Sequence, residues 1–305
     1  MCFELKLMPV IEIKNLKKHF GKVKAVDGIN ISVERGEIFG FLGPNGAGKT
    51  TAIRCMMDFI RPTATRLSSS KSCEIKLFGI NSTAANFHLS REKIGYLIPA
   101  ANLVGSWNGK DHFSYKESLF GKSKNLSDLI QRFDFNPKLK VKTLSTGNQQ
   151  KLGLILALMN DPKLLIMDEP TVGLDPILQE EFYKILREFS AKDVAVFMSS
   201  HNLPEVEKIC SRVAMIKSGK IVSVQKISAL EGKKLHTVRV TFAEKVAENE
   251  LADKDVEIID QIDGGYILAV KHEIDPFIKK LAKFKIESIS ISQANLEEIF
   301  MEFYK

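Results

Sequence analysis

The sequence predicts an α/β domain on a mostly parallel sheet over residues 9–228, followed by a small α+β domain over residues 229–305. Three observations carry that expectation. A short apolar run, Ile38-Phe39-Gly40-Phe41-Leu42, leads directly into Gly43-Pro44-Asn45-Gly46-Ala47-Gly48-Lys49-Thr50-Thr51, which fits the phosphate-loop pattern G-x-x-x-x-G-K-[ST], and then into a helical stretch. Strand-like runs alternate with helix-like segments to about residue 224, the pattern of parallel strands with crossover helices. Charge and pattern then change: residues 231–305 hold 11 Lys+Arg against 15 Asp+Glu, so of a net +7 the first 230 residues carry +11.

Taken in order, Val10-Ile11-Glu12-Ile13 and Ile29-Asn30-Ile31-Ser32-Val33 alternate as half-buried strands do, with a turn at Lys18-His19-Phe20-Gly21-Lys22. From spacing alone Phe20 reads either as an aromatic placed to stack on a bound base or as a core phenylalanine. The helix after the phosphate loop is expected over Thr51–Ile60, stopped by Arg61-Pro62. Residues 65–72 are Ser-rich and read as a surface insertion. Strands follow at Glu74–Phe78 and Lys93–Ile98, then a more irregular, helix-containing lobe over residues 99–140. A helix opens at Ser145, a plausible N-cap, and runs to Met159; it is apolar nearly all round and so is expected to be buried. Leu164-Leu165-Ile166-Met167 reads as a strand delivering Asp168 and Glu169 at its end. Asp175-Pro176 suits a helix start, with Leu178, Phe182, Ile185, Leu186 and Phe189 on one face. A strand from Val194 ends near Ser199-Ser200-His201, and Val213–Val224 reads as two strands about a Ser218-Gly219 turn. In the tail, Val238–Phe242, Tyr266–Val270 and Ile286–Ile291 read as strands, Asp275–Phe284 and Leu296–Tyr304 as helices.

The chemistry starts from the loop. Glycines let the backbone turn its N–H groups around an anion, Lys49 supplies a point charge for the β and γ phosphates, and the Thr50 hydroxyl suits Mg²⁺. The following helix adds unpaired donors and a positive dipole end. The motif therefore implies a nucleoside triphosphate. At 305 residues, 44% hydrophobic, with mean hydropathy −0.05, the chain has material for two cores and no apolar run of bilayer length. Met1 to Lys6 shows no charged-then-apolar leader, so a location inside the cell is expected. Cys2, Cys55, Cys73 and Cys210 are widely spaced and read as reduced thiols. No dense Lys/Arg stripe with interleaved aromatics occurs, so nucleic acid is not an expected partner.

Several further pieces narrow the class. An acid ending an apolar strand suits a Mg²⁺ site, and the acid after it suits polarisation of an attacking water. Ser145-Thr146-Gly147 begins 23 residues before Asp168, His201 lies 32 residues after Glu169, and no Asn-Lys-x-Asp guanine motif is present. Together these resemble the ATP-binding subunit of an ABC transporter over roughly residues 9–225. The resemblance implies a P-loop NTPase of the ABC ATPase type, with an N-terminal β-subdomain and a helical lobe. It implies ATP and Mg²⁺ as ligands, and two nucleotide domains that sandwich two ATP molecules. Gly43 to Thr51 of one copy would face Ser145 and Gly147 of the other. Glu169 looks like the general base, Asp168 the metal-associated acid, His201 the γ-phosphate sensor, and Phe20 the adenine-stacking aromatic. Asp175 falls in the stretch that crosses between the sites, though it also suits a plain helix cap. The implied partners are an integral membrane permease and a second ATP-binding subunit, identical or not, with the chain peripheral on the cytoplasmic face of the membrane.

Three departures accompany the resemblance. The signature reads Leu144-Ser145-Thr146-Gly147-Asn148 where the commonest form in the family is Leu-Ser-Gly-Gly-Gln, and the insertion at residues 65–72 is longer than usual. Where the family places a metal-contacting Gln, this chain has Pro99-Ala100-Ala101-Asn102, so water or Asn102 is expected to take that place. The C-terminal stretch Asn295 to Tyr304 resembles the closing helix of subunits that serve separate permeases, mostly exporters. The competing readings are an ABC ATPase acting on nucleic acid or the ribosome, and a low-turnover ATP-binding module.

Overall fold

The computed structural model describes residues 8–63, 73–97, 103–231, 235–271 and 273–293, in two compact units divided between Val224 and Gln225. The insertion at 65–72, the Pro99 to Asn102 stretch and the expected closing helix lie outside the described residues.

The first unit opens on an antiparallel hairpin, β1 (Ile11–Phe20) and β2 (Val23–Val33). Both strands run further than the short alternating runs suggest. Register shifts between Ile13 and Leu16 and between Lys18 and His19 break the alternation and disguise its continuation in the sequence. β3 (Ile38–Leu42) is buried at all five positions and passes through the phosphate loop into α1 (Lys49–Met56). This helix stops short of the expected Ile60, because Asp58 turns left-handed at φ +58° just beyond its cap. β4 (Glu74–Leu77) pairs with β1, and β5 (Ile80–Asn81) with β4, giving an antiparallel sheet in the order β2-β1-β4-β5.

A short helix, α2 (His88–Arg91), which the sequence reading did not include, precedes β6 (Ile94–Leu97). The helical lobe holds α3 (Gly109–Phe120), α4 (Leu126–Arg132) and α5 (Thr146–Leu158). Next come β7 (Leu164–Asp168), α6 (Pro176–Ser190), β8 (Ala195–Ser200), α7 (Leu203–Ile209), β9 (Arg212–Lys217) and β10 (Lys220–Lys226). Ser218 and Gly219 between the last two strands both have positive φ, the requirement of a type I′ turn. The second sheet has the order β10-β9-β3-β8-β7-β6, with β9, β3, β8, β7 and β6 parallel. β3 therefore lies inside the sheet, paired on both sides, and the ends of β3, β7 and β8 converge at one edge. Phe39 and Phe41 both pack on Phe197 in the core beneath that edge.

The second unit contains α8 (Ile227–Glu231), β11 (Leu235–Phe242), α9 (Glu248–Leu251), β12 (Val256–Ile262), β13 (Gly265–Lys271), α10 (Asp275–Leu281) and β14 (Ile286–Gln293). Its antiparallel sheet runs β12-β13-β11-β14. Val238, Val240, Leu251, Leu268, Phe277 and Leu281 form a core of its own. α10 ends at Leu281, before the expected Phe284.

Candidate active site

The phosphate loop is shaped by what its glycines must clear. Gly48 caps α1 at φ +109°, and a Cβ there would stand 2.2 Å from the Ala25 carbonyl oxygen. A Cβ at Gly43 would stand 2.4 Å from the Ile216 carbonyl oxygen. Gly46, at φ +78°, has open space on the same test. Three backbone bonds hold the loop: the Gly43 N–H donates to the Ser200 carbonyl at 3.1 Å, the Ala47 N–H to the Pro44 carbonyl at 3.1 Å, and the Gly219 N–H to the Ala47 carbonyl at 3.0 Å. The first N–H groups of α1 point out of the helix without intrahelical acceptors, the geometry of an anion site.

Lys49 is only 6% exposed. Its Nζ donates to the Gly43 carbonyl at 2.6 Å and the Pro44 carbonyl at 3.3 Å, and stands 3.2 Å from Glu169 Oε1. The last contact is an ion pair outside hydrogen-bond geometry, since Oε1 makes no hydrogen bond. Thr50 donates its hydroxyl to Asp168 Oδ2 at 2.6 Å, and Ser199 donates to Asp168 Oδ1. Asp168 is wholly buried, so these two hydroxyls take the place of water. Burial, and after it the charge of Asp168, pushes the nearby Tyr96 phenol up to about 12.

Glu169 leaves the strand in a left-handed conformation, φ +51°. Its N–H is held by the Ser199 hydroxyl at 3.1 Å and the Ser199 carbonyl at 3.2 Å. That bend turns the side chain toward His201, whose Nδ1 lies 2.8 Å from Glu169 Oε2. Lys49, Thr50, Asp168, Glu169 and His201, named separately from the sequence, thus form one connected cluster.

Other expected site residues lie apart from that cluster. Phe20, at the tip of the first hairpin, is half exposed with Lys18 Nζ 4.9 Å over its ring; of the two readings from spacing, the core phenylalanine is the one set aside. Ser145 N-caps α5, accepting the Asn148 N–H at 3.3 Å. Gly147 packs so closely on the chain at Gly173 that a Cβ would stand 2.5 Å from its carbonyl oxygen. Asp175 caps α6 by accepting the Leu178 N–H at 3.0 Å.

The sequence reading missed four polar residues around the cluster. Ser199 grips both acids. Gln150, 4% exposed, donates to the Pro170 carbonyl at 2.7 Å and ties α5 to the residue after Glu169. The Ser200 hydroxyl accepts the Asn202 N–H at 2.9 Å and donates to Glu205 Oε2 at 2.5 Å. Glu205 is 4% exposed. Burial pushes its pKa up, the Ser200 and Thr171 hydroxyls pull it down, and the charge of Glu169 adds a smaller upward push. A Ser-Ser pair closing an apolar strand was the available signal; Glu205 sits on α7, a short helix that the sequence reading did not include.

The profile of the ABC transporter family matches residues 26–172. The uncharacterized ABC transporter ATP-binding protein YhcH of Bacillus subtilis (strain 168) is 30% identical over 303 residues, covering 96% of this chain and 95% of that one. Nod factor export ATP-binding protein I of Ralstonia nicotianae (strain ATCC BAA-1114 / GMI1000) is 30% identical over 222 residues, covering 70% of this chain and 66% of that one. The fold is shared with the bacterial ABC transporter cassette MJ0796 in its dimeric structure, at TM-score 0.62 and 20% identity over 71% of this chain and 98% of that one.

Proposed function

The chain belongs to the ABC transporter family as an ATP-binding, ATP-hydrolysing protein, and from that premise we propose that its ATPase powers export through a separate membrane permease. The observation that carries the reading is the contact of Glu169 with both His201 and Lys49 at the mouth of the phosphate loop. A structural carboxylate would not need a left-handed turn to reach an exposed imidazole.

In this reading Gly43, Pro44, Asn45, Gly46, Ala47, Gly48, Lys49, Thr50 and Thr51 cradle the triphosphate. Lys49 exchanges its loop carbonyls for phosphate oxygens. Glu169 accepts a proton from water as the water oxygen attacks the γ-phosphorus; the bond to the β–γ bridging oxygen breaks, leaving ADP and phosphate. His201, hydrogen-bonded to Glu169, orients that carboxylate and meets the γ-phosphate. Thr50 and Asp168 offer a hydroxyl and a buried carboxylate, hard oxygen donors that fit Mg²⁺, which would keep water and phosphate as its remaining ligands. When bound, Mg²⁺ supplies charge neutralisation at the β and γ phosphates. Phe20 stacks on adenine.

Ser145 and Gly147 are left at a helix N-terminus apart from the chain's own loop, and we assign them to the nucleotide of a second copy or homologous subunit, with Asp175 in the crossing stretch. The likeness to a dimeric cassette supports this assembly. Among the described residues no helix is long and apolar enough to cross a membrane. By membership of a family of transporter subunits, we assign the chain to the cytoplasmic face, held there by the permease. Tyr115, Leu119 and Phe120 stand exposed on α3, an apolar surface consistent with a protein partner. Export follows the named relative.

The test is to look for a neighbouring reading frame encoding several apolar spans of about 20 residues, then co-express its product with this chain, purify in detergent and reconstitute into vesicles. Co-purification and ATP-dependent movement of cargo out of the nucleotide-side compartment are expected, with the movement, not the co-purification, abolished in Lys49→Ala. ATP hydrolysis with no membrane partner retained would overturn the transport assignment and leave the ATPase standing.

A further inference from the structure

Glu205 is a buried acid that the hydrolytic reaction described above does not use. It occupies the first turn of α7, whose N-cap is Asn202. An acid three residues after an N-cap ordinarily reaches back to the N-cap N–H and stays in contact with water. Here the Asn202 N–H goes to the Ser200 hydroxyl instead, and that hydroxyl donates onward to Glu205. Glu205 Oε1 makes no hydrogen bond, and the residue is 4% exposed, close enough to Glu169 to feel its charge. A buried carboxyl with a spare oxygen beside another acid is an unfavourable way to cap a helix.

Its surroundings connect it to the site in two directions. Ser200 directly precedes His201, and its carbonyl also accepts the Gly43 N–H of the phosphate loop. The Thr171 hydroxyl, two residues past Glu169, also faces the Glu205 carboxyl. α7 itself is a firm base, because Val206 seats directly on Gly40 of β3, where a Cβ would meet Val206 Cγ1 at 2.8 Å. Glu205 is therefore fixed to the sheet and grips the turn that carries His201.

We infer that Glu205 is a positioning residue for ATP hydrolysis: by holding the Ser200 hydroxyl it fixes the Ser200-His201-Asn202 turn, so that the His201 imidazole keeps its contact with Glu169. The inference rests on the proposed roles of His201 and Glu169. Removing Glu205 frees the Ser200 hydroxyl and misplaces the imidazole, while the Ser200 carbonyl keeps its bond to the Gly43 N–H and the phosphate loop keeps its grip on ATP.

The experiment is a double-mutant cycle on the full chain with Mg²⁺ and ATP. Glu205→Ala is expected to lower kcat about tenfold to hundredfold, with KM for ATP within about twofold. Glu205→Gln keeps an oxygen that accepts the Ser200 hydroxyl, and its kcat is expected within about threefold of wild type. In a His201→Ala background Glu205→Ala should cause no further loss. In chain carrying ¹³C-labelled histidine, the ring signal absent from His201→Ala should shift in Glu205→Ala and return in Glu205→Gln. Should Glu205→Ala fail to fold, Ser200→Ala breaks the same link and is read the same way. Full kcat in the alanine variants, or an equal loss with and without His201, would overturn the inference and leave Glu205 with a purely structural role. Wild-type activity unchanged by His201→Ala would instead remove the role of His201 on which it rests.

Discussion

Glu169 shows how much of the chemistry is local. A glutamate in the left-handed region is held against its own preference, at about 1–3 kcal/mol, by the two Ser199 bonds to its N–H. Glu169→Gln keeps the shape and removes the base. It should retain ATP binding, lose about 10²–10⁴-fold in turnover, and accumulate an ATP-bound dimer visible by gel filtration; near-normal turnover would release Glu169 from the role. Gly48 is equally constrained. With φ +109° and a backbone oxygen 2.2 Å from any Cβ, Gly48→Ala should destabilise the fold by about 3 kcal/mol or more and abolish binding of a fluorescent ATP analogue, read by urea unfolding and titration. Residues with a single chemical use, such as Lys49 and Asp168, were legible from spacing. Ser199 and Glu205 were not, because serine and glutamate occur in every surface context and only burial singles these two out.

At the scale of elements, the strands were legible wherever an apolar run was bounded by turn residues, as in β3 and β7, both buried at every position. β12 carries Glu257, Asp260 and Gln261 and offers no such run, while α7 is one short segment with Pro204 in its first turn. α5 was read correctly from its cap, but its far end is secured by contacts no local pattern shows. Lys116 donates to the Leu156 carbonyl, Ser123 to the Met159 carbonyl, and Asn125 to the Leu158 carbonyl at 3.4 Å. Burial lowers the Lys116 pKa from 10.5 to about 8. The folded chain therefore releases this proton before the unfolded chain does. The resulting destabilisation is fully present below about pH 8 and is relieved as pH rises toward 10.5. Relative to Lys116→Met, the wild type should gain roughly 1 kcal/mol between pH 8 and pH 9 in denaturant titrations; a pH-independent difference would show that this amine stays charged.

The whole molecule divides between Val224 and Gln225, with separate buried clusters in Met1–Val224 and Gln225–Lys305. Residues 1–228 keep β10 entire, and expressed alone they should fold and bind ATP, as judged by circular dichroism and nucleotide titration. An insoluble fragment beside a well-behaved full chain would make the tail part of the first core. The change in charge and pattern suggested a boundary near residue 228, a few residues beyond the division between Val224 and Gln225; the order of strands in each sheet could not be read, because pairing partners such as β3 and β9 are far apart in sequence. That pairing has a consequence on the timescale of solvent exchange. β3 is bonded to β8 on one side and β9 on the other, with no exposed residue along its length, so its amides should trade hydrogen for deuterium only when the entire unit unfolds. The phosphate loop continues directly from this strand. Deuterium labelling should find slow amides through Leu42, fast ones at the exposed Asn45 and Gly46, and slow ones again in the buried turns of α1, so that the few exchanging amides mark the part of the loop that receives ATP.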